Sequence, residues 1–144
     1  LQTLVDDIGI HSIKDAVGDF EFSKKQLELL KDKVDIYSGN DNQTYDFVIN
    51  GGVGVVSVAS HVVGDEISEM ISFAKDNDLV KAEEINMQLS NLFEAIFEEP
   101  SPGPIKKILS ESWEEVGEPL LPITSITPEL ANKIRGFYKK IKEN

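Results

Sequence analysis

The sequence predicts an α/β fold: a parallel sheet packed by helices, followed by an all-helical region. Three observations predict it. In the first half, short β-type runs alternate with helical runs three times, the order that parallel strands and crossover helices require. The Val-rich run "VGVVSVAS" (53–60) is uninterrupted, as a strand buried on both faces requires. From about Asp78 the apolar spacing changes to three and four residues, so the expected domains are a β-α region over 1–77 and a helical region over 78–144.

Each element follows from its residues. "LQTLVDD" reads as the last turns of an amphipathic helix, with Leu1, Leu4 and Val5 on one face and Gly9 closing it. "IGIHSI" (8–13) is the first expected strand. A helix is expected over 20–33, with Phe20, Leu27 and Leu30 facing one way, then the strand "VDIYS" (34–38) and a short helix over 44–49. The strand at 53–60 leads to an amphipathic helix over 65–75. Ala82, Ile85, Leu89, Leu92, Phe93 and Ile96 then form one apolar stripe of a long helix, which "PSPGP" (100–104) ends. A further helix is expected over about 104–114, with Trp113 as a partly buried anchor. "EPLLPITSITPE" is extended, and Thr127 with Pro128 at the first helical position opens a last helix to Lys142, before a solvated tail "KKIKEN".

Composition narrows the function classes. The 144 residues include 14 Lys and Arg against 26 Asp and Glu, a net charge of −12, which leaves no basic face for a phosphate backbone. Nucleic acid is a poor partner. Without cysteine there is neither a disulfide framework nor a thiolate metal site, and no apolar stretch approaches the roughly 20 residues of a membrane span. A soluble chain in a reducing, cytoplasmic compartment is expected. The sequence opens without Met, inside an element and without the regions of a signal peptide, so a fragment of a longer protein is expected.

Taken one at a time, the motifs read as ordinary structure. Lys14 is a solvated lysine at a strand end; "SGND" (38–41) is a turn, with Gly39 easing the backbone and Asn40 or Asp41 capping the next helix. "GGVGV" (51–55) lacks the spacing of a phosphate loop and reads as a tight entry into a strand. His11 and His61 lack metal-ligand spacing, so packing or hydrogen bonding is expected, and no metal or organic cofactor is implied.

Their arrangement says more. Lys14, "SGND" and "SVAS" each stand at the carboxyl end of an expected parallel strand, where β/α barrels gather their catalytic groups. A lysine held there among apolar neighbours loses hydration of its ammonium form, which frees a neutral amine to attack a carbonyl. The chemistry implied is a Schiff base.

These residues resemble a known family, the class I aldolases of the dihydrodipicolinate synthase and N-acetylneuraminate lyase type. "SIKDAVGD" is similar to the family's lysine motif, Gly-Ile-Lys-Asp/Glu-Ala-Ser/Thr-Gly-Asp, and "IYSGND" to its Ser-Gly-Asp-Asp strand end. "GGVGVVSVASHVVGDEISEM" resembles the eighth strand and following helix, "LFEAIFEEPSPGPIKKIL" the signature of the helical domain, and "LLPIT" a Leu-Pro stretch near the end. The motifs occur in order and correspond to the carboxyl-terminal half of the family's polypeptide. The resemblance implies the last three β-α units of a (β/α)8 TIM barrel followed by a carboxyl-terminal helical domain. It implies that Lys14 forms an imine with pyruvate, that Gly39 lies beside the substrate, and that the main-chain carbonyl of Val56 faces the bound keto acid. The second substrate it implies is aspartate semialdehyde, on the route to lysine, with N-acetylneuraminate lyase chemistry as the neighbouring alternative.

Departures from the pattern are Ser12 for Gly, Val17 for Ser or Thr, Asn40 for the first Asp of Ser-Gly-Asp-Asp, and Leu120 for an Arg. None removes the nucleophile. Tyr37, Tyr45 and Tyr138 do not match the family's tyrosine relay motif, so none is given a catalytic role. A closed barrel needs roughly 250 residues. Three units leave two sheet edges unpaired, which favours association with another copy, as a homo-oligomer, or with the missing half, and a non-catalytic truncated module that oligomerises is the competing reading.

Overall fold

The computed structural model describes residues 1–30 and 32–143. Lys31, inside the helix expected over 20–33, and Asn144, in the expected tail, lie outside the described residues. In chain order the elements are a π-helical segment Leu4–Ile8, β1 Ser12–Asp15, α1 Phe20–Leu30, β2 Asp35–Ser38, a 3₁₀ turn Asp41–Gln43, α2 Thr44–Ile49 and β3 Gly54–Val55. Four helices follow: α3 Ser60–Lys75, α4 Leu79–Ala95, α5 Gly103–Ser112 and α6 Pro128–Lys142. The chain forms two compact units, residues 1–57 with 68–83, and residues 58–67 with those from 84 onward. They interleave along the chain, whereas the boundary expected at 77 is a single cut.

In the first unit the three strands are parallel in the order β1-β2-β3. Lys14 pairs in register with Tyr37, and Tyr37 with Gly54, so the carboxyl ends of all three strands lie level. Val5, Leu27, Leu30, Val34, Ile36 and Phe47 form a buried cluster, with Ile10, Ile13 and Phe20 packed against it. The Phe20 and Phe47 rings meet at 5.9 Å with a 59° tilt, a favourable aromatic geometry. Each fully buried large side chain contributes about 1.5–3 kcal/mol, which fastens α1 and α2 to the sheet.

Several boundaries differ from the expectation. The amino-terminal helix runs on through Ile8 and closes at Gly9, whose φ of 74° is a left-handed cap, so β1 begins at Ser12 and not at residue 8. Of that helix's apolar face only Val5 is buried; Leu1 and Leu4 are exposed. The strand expected over 53–60 shrinks to Gly54–Val55, because it pairs only with Tyr37 and Ser38 and leaves the ladder after Val56 N–H donates to the Ser38 carbonyl at 2.8 Å. It is not buried on both faces: Val56 is 49% exposed. The chain turns instead into α3 at Ser60, five residues before the expected start, with non-helical dihedrals at Val63. Residues 56–59 form neither strand nor helix, because β2 ends at Ser38 and offers no further ladder groups to pair with.

The glycine pair before β3 is a tight entry, as expected. Gly52 N–H donates to the Phe47 carbonyl at 2.8 Å, and a Cβ there would lie 2.9 Å from that oxygen. His11 and His61 are both exposed, so the packing role expected of them is not taken up.

In the second unit α5 packs on α6 through Ile105 and Ile108 against Leu130, Ala131 and Ile134, all buried. The stripe on α4 holds: Leu89, Leu92 and Phe93 in this unit and Ala82 in the first are buried, with Ile96 just beyond the helix end and Ile85 half-buried. Thr127 caps α6, its hydroxyl accepting from Leu130 N–H at 3.4 Å, and the Glu99 carboxylate accepts from both Thr127 N–H and its hydroxyl. Trp113 is 71% exposed and anchors nothing, because the chain leaves regular structure at that residue. Among the described residues no helix is long and apolar enough to cross a membrane.

Candidate functional site

Three short strands end level, and their last residues bring the sequence's candidates together. Lys14, the third residue of β1, is exposed, and Asp15 after it is buried with its carboxylate accepting from Val17 N–H at 2.9 Å. That side-chain turn folds the chain sharply after the lysine. Gly39, the residue after β2, donates its N–H to the Asp15 carbonyl at 2.6 Å. A Cβ on Gly39 would lie 2.8 Å from Lys14 Cε, 2.6 Å from Ala16 Cβ and 3.0 Å from the Asp15 oxygen. The lysine's carbon chain therefore lies across a floor that only glycine provides.

Val56 stands one residue beyond β3, tied by its N–H to the Ser38 carbonyl. Lys14, Gly39 and Val56 thus belong to three adjacent strand ends in one compact unit. The Lys14 side chain stands in solvent, as its reading as an ordinary strand-end lysine expects, and the described residues do not supply the apolar neighbours that the Schiff-base reading calls for.

Polar contacts stitch the strand ends together. Ser38 Oγ donates to the Asn40 carbonyl at 2.8 Å and accepts from Asn40 N–H at 3.1 Å, while Gln43 N–H at 3.2 Å donates to that same carbonyl. Asn40 occupies the cap position of the 3₁₀ turn without a side-chain cap bond, so its carbonyl holds the turn and its side chain is used elsewhere, against Gln43. Asp41, 1% exposed, accepts a short hydrogen bond from Ser57 Oγ, which joins the β2 end to the β3 end. Sequence reasoning missed Asp41, Ser57 and Gln43 as functional supports, because each acts on a residue at least 16 positions away. The side-chain turn at Asp15 had a local signal, an Asp two residues before its bonded amide.

On α2, burial raises the Tyr45 phenol above its ordinary value, with Glu83 and Asp46 adding to the effect, so it holds its proton tightly; burial also raises Asp46. In the helical unit a cleft of about 500 Å³ lies among α5, α6 and the segment between them, lined by Lys106, Ser110, Glu115 and Asn132 among others. Within it Arg135 and Lys107 pair with Glu111, and the Ser125 hydroxyl donates to Glu118. No group of three His, Cys, Asp or Glu side chains able to hold a metal occurs among the described residues.

A model of the dihydrodipicolinate synthetase family matches residues 1–141. The 4-hydroxy-tetrahydrodipicolinate synthase of Microcystis aeruginosa is 43% identical over 132 residues, 92% of this chain and 44% of that protein. The enzyme of the same name from Thermosynechococcus vestitus is 40% identical over 126 residues, 88% of this chain and 43% of that protein. Among solved structures, dihydrodipicolinate synthase from Bacillus anthracis superposes with a TM-score of 0.86 at 33% identity, covering 94% of this chain and 47% of that one. The Thermotoga maritima enzyme superposes at 0.92 and 26% identity, covering 98% and 49%. The chain therefore spans about half the length of the curated relatives it matches.

Proposed function

The chain belongs to the dihydrodipicolinate synthetase family, and on that footing we propose that it carries the Schiff-base lysine of a class I lyase condensing pyruvate with aspartate semialdehyde in lysine biosynthesis. The observation that carries the reading is the contact of Lys14 Cε with Gly39 at adjacent parallel strand ends. In this reading residues 1–77 are the last three β-α units of a (β/α)8 barrel and 78–144 its helical domain. The Lys14 amine attacks the keto carbon of pyruvate, and loss of water leaves an imine. Gly39 keeps the space beside that carbon open, and the Val56 carbonyl faces the bound keto acid. The enzyme works in the cytoplasm as a homo-oligomer.

The exposure of Lys14 supports a second reading, in which this polypeptide by itself does little chemistry. Nothing in its sequence matches the family's tyrosine relay, so proton transfer to and from the imine, commonly worth about 10²- to 10⁴-fold, falls to water.

Borohydride trapping with pyruvate, followed by peptide mass analysis, tests the assignment. Reductive labelling is expected on Lys14 and absent in Lys14→Arg; labelling on other lysines with Lys14 untouched would remove it from the role. In the full-length protein, faster condensation with N-acetylmannosamine than with aspartate semialdehyde would move the chain to the N-acetylneuraminate lyase branch.

A further inference from the structure

Beyond the lysine itself, one side chain spans the loops that follow β1 and β2. Gln43 Nε2–H donates to the Gly18 carbonyl at 2.8 Å, and Asn40 Nδ2–H donates to Gln43 Oε1 at 3.0 Å. The direction of this relay is forced. A carbonyl only accepts, so Gln43 must turn its amide nitrogen to Gly18; its oxygen then faces residue 40, which must donate. Asn40 can donate. A carboxylate at the same position, as in the family's Ser-Gly-Asp-Asp pattern, would set acceptor against acceptor, and flipping Gln43 would only move that clash to Gly18.

The relay closes a clip on the lysine loop. Gly39 N–H to the Asp15 carbonyl holds its near end at 2.6 Å, and Gln43 to the Gly18 carbonyl holds its far end. Gly18 has a φ of 85°, a left-handed backbone that glycine adopts without strain. Residues 15–18 are thereby pinned at both ends against the loop whose Gly39 touches Lys14 Cε.

We propose that Gln43, paired with Asn40, is a positioning residue for Lys14: it keeps the loop after the nucleophile seated on the Gly39 loop, and the identities at 40 and 43 depend on each other. This rests on the reading of Lys14 as the imine-forming amine. Small displacements of a reacting group are costly, since productive attack needs reacting atoms about 3–3.5 Å apart and aligned.

The test uses the full chain. Gln43→Met keeps the side chain's length and removes both polar contacts. Amide exchange over residues 15–19 is expected to quicken about fivefold, the worth of one ordinary hydrogen bond, and pyruvate trapping at Lys14 to slow by a similar factor. Asn40→Asp is expected to do the same, and Asn40→Asp/Gln43→Lys to restore both readouts to within about twofold, because one ammonium donates to the Gly18 carbonyl and to the new carboxylate together. Rescue by the second substitution is something a general loss of stability would not produce. Unchanged exchange in Gln43→Met, or a double variant no better than Asn40→Asp alone, overturns the proposal. Absence of trapping at Lys14 in the unmodified chain overturns the Schiff-base reading, and the exchange rates over 15–19 still decide the clip.

Discussion

Gly39 carries the tightest steric condition at the strand ends. Of the three atoms a methyl would meet, the Lys14 tail can swing away, but Ala16 Cβ and the Asp15 carbonyl belong to the clipped loop and cannot. Gly39→Ala is expected to destabilise the chain by about 1–3 kcal/mol and to slow imine trapping, since the lysine is the group that yields. Urea melts with trapping kinetics on the same sample check both; an unaltered midpoint would contradict the crowding. The importance of Gly39 was legible only through the motif resemblance. Its physical reason, contact with a side chain 25 positions earlier, was not, because sequence spacing says nothing about which loops touch across a parallel ladder.

Among elements, α6 shows how far local chemistry reaches. Thr127 followed by Pro128 is a helix start in any context, and the structure adds that the Glu99 carboxylate grips the same cap. Thr127→Ala is expected to cost about 1 kcal/mol, within the 0.5–2 range of cap removals, seen as a lowered thermal midpoint. The bridge from α5 to α6 is a long-range feature. The Arg135 guanidinium, in a two-pronged hydrogen bond, is the main cause that holds Glu111 below the ordinary 4.5, with Lys107 assisting and burial opposing. A depressed carboxylate stabilises the fold fully above 4.5 and loses that contribution as pH falls below it toward the folded value. The difference in thermal midpoint between the unmodified chain and Arg135→Met should therefore be largest at neutral pH and close progressively below 4.5. A constant difference across acid pH would show that packing of the Arg135 stem, and not its charge, supports the helix pair. The partners are partly exposed, so added salt should also narrow the difference.

For the whole molecule, the outer edges of β1 and β3 have no strand partner among the described residues, and Val17, Val56, Leu120 and Leu121 stand exposed. Unpaired ladder groups and apolar surface favour association. The purified chain is expected to self-associate and to show negligible turnover in a coupled assay. A monodisperse monomer by light scattering would refute the first expectation, and turnover near that of a complete family member the second. The charge of −12 opposes non-specific clustering, so association should strengthen with salt, which screens like charge while leaving edge pairing intact.

By itself the sequence determined the alternation of strands and helices, the short helix at 44–49, the stripe on α4, the cap at Thr127 and the order of motifs around Lys14. These depend on periodicity and on residue chemistry acting within a few positions, which the chain carries wherever it folds. Only the tertiary structure decided that β3 stops at Val55, that Trp113 stands in solvent, that Lys14 is laid against Gly39, and that Gln43 clips the loop at Gly18. Each of these turns on which partner the sheet and its loops present. A β-branched run becomes strand only where a neighbouring strand offers free ladder groups, and a polar side chain becomes a support only where folding brings an unmatched carbonyl within its reach.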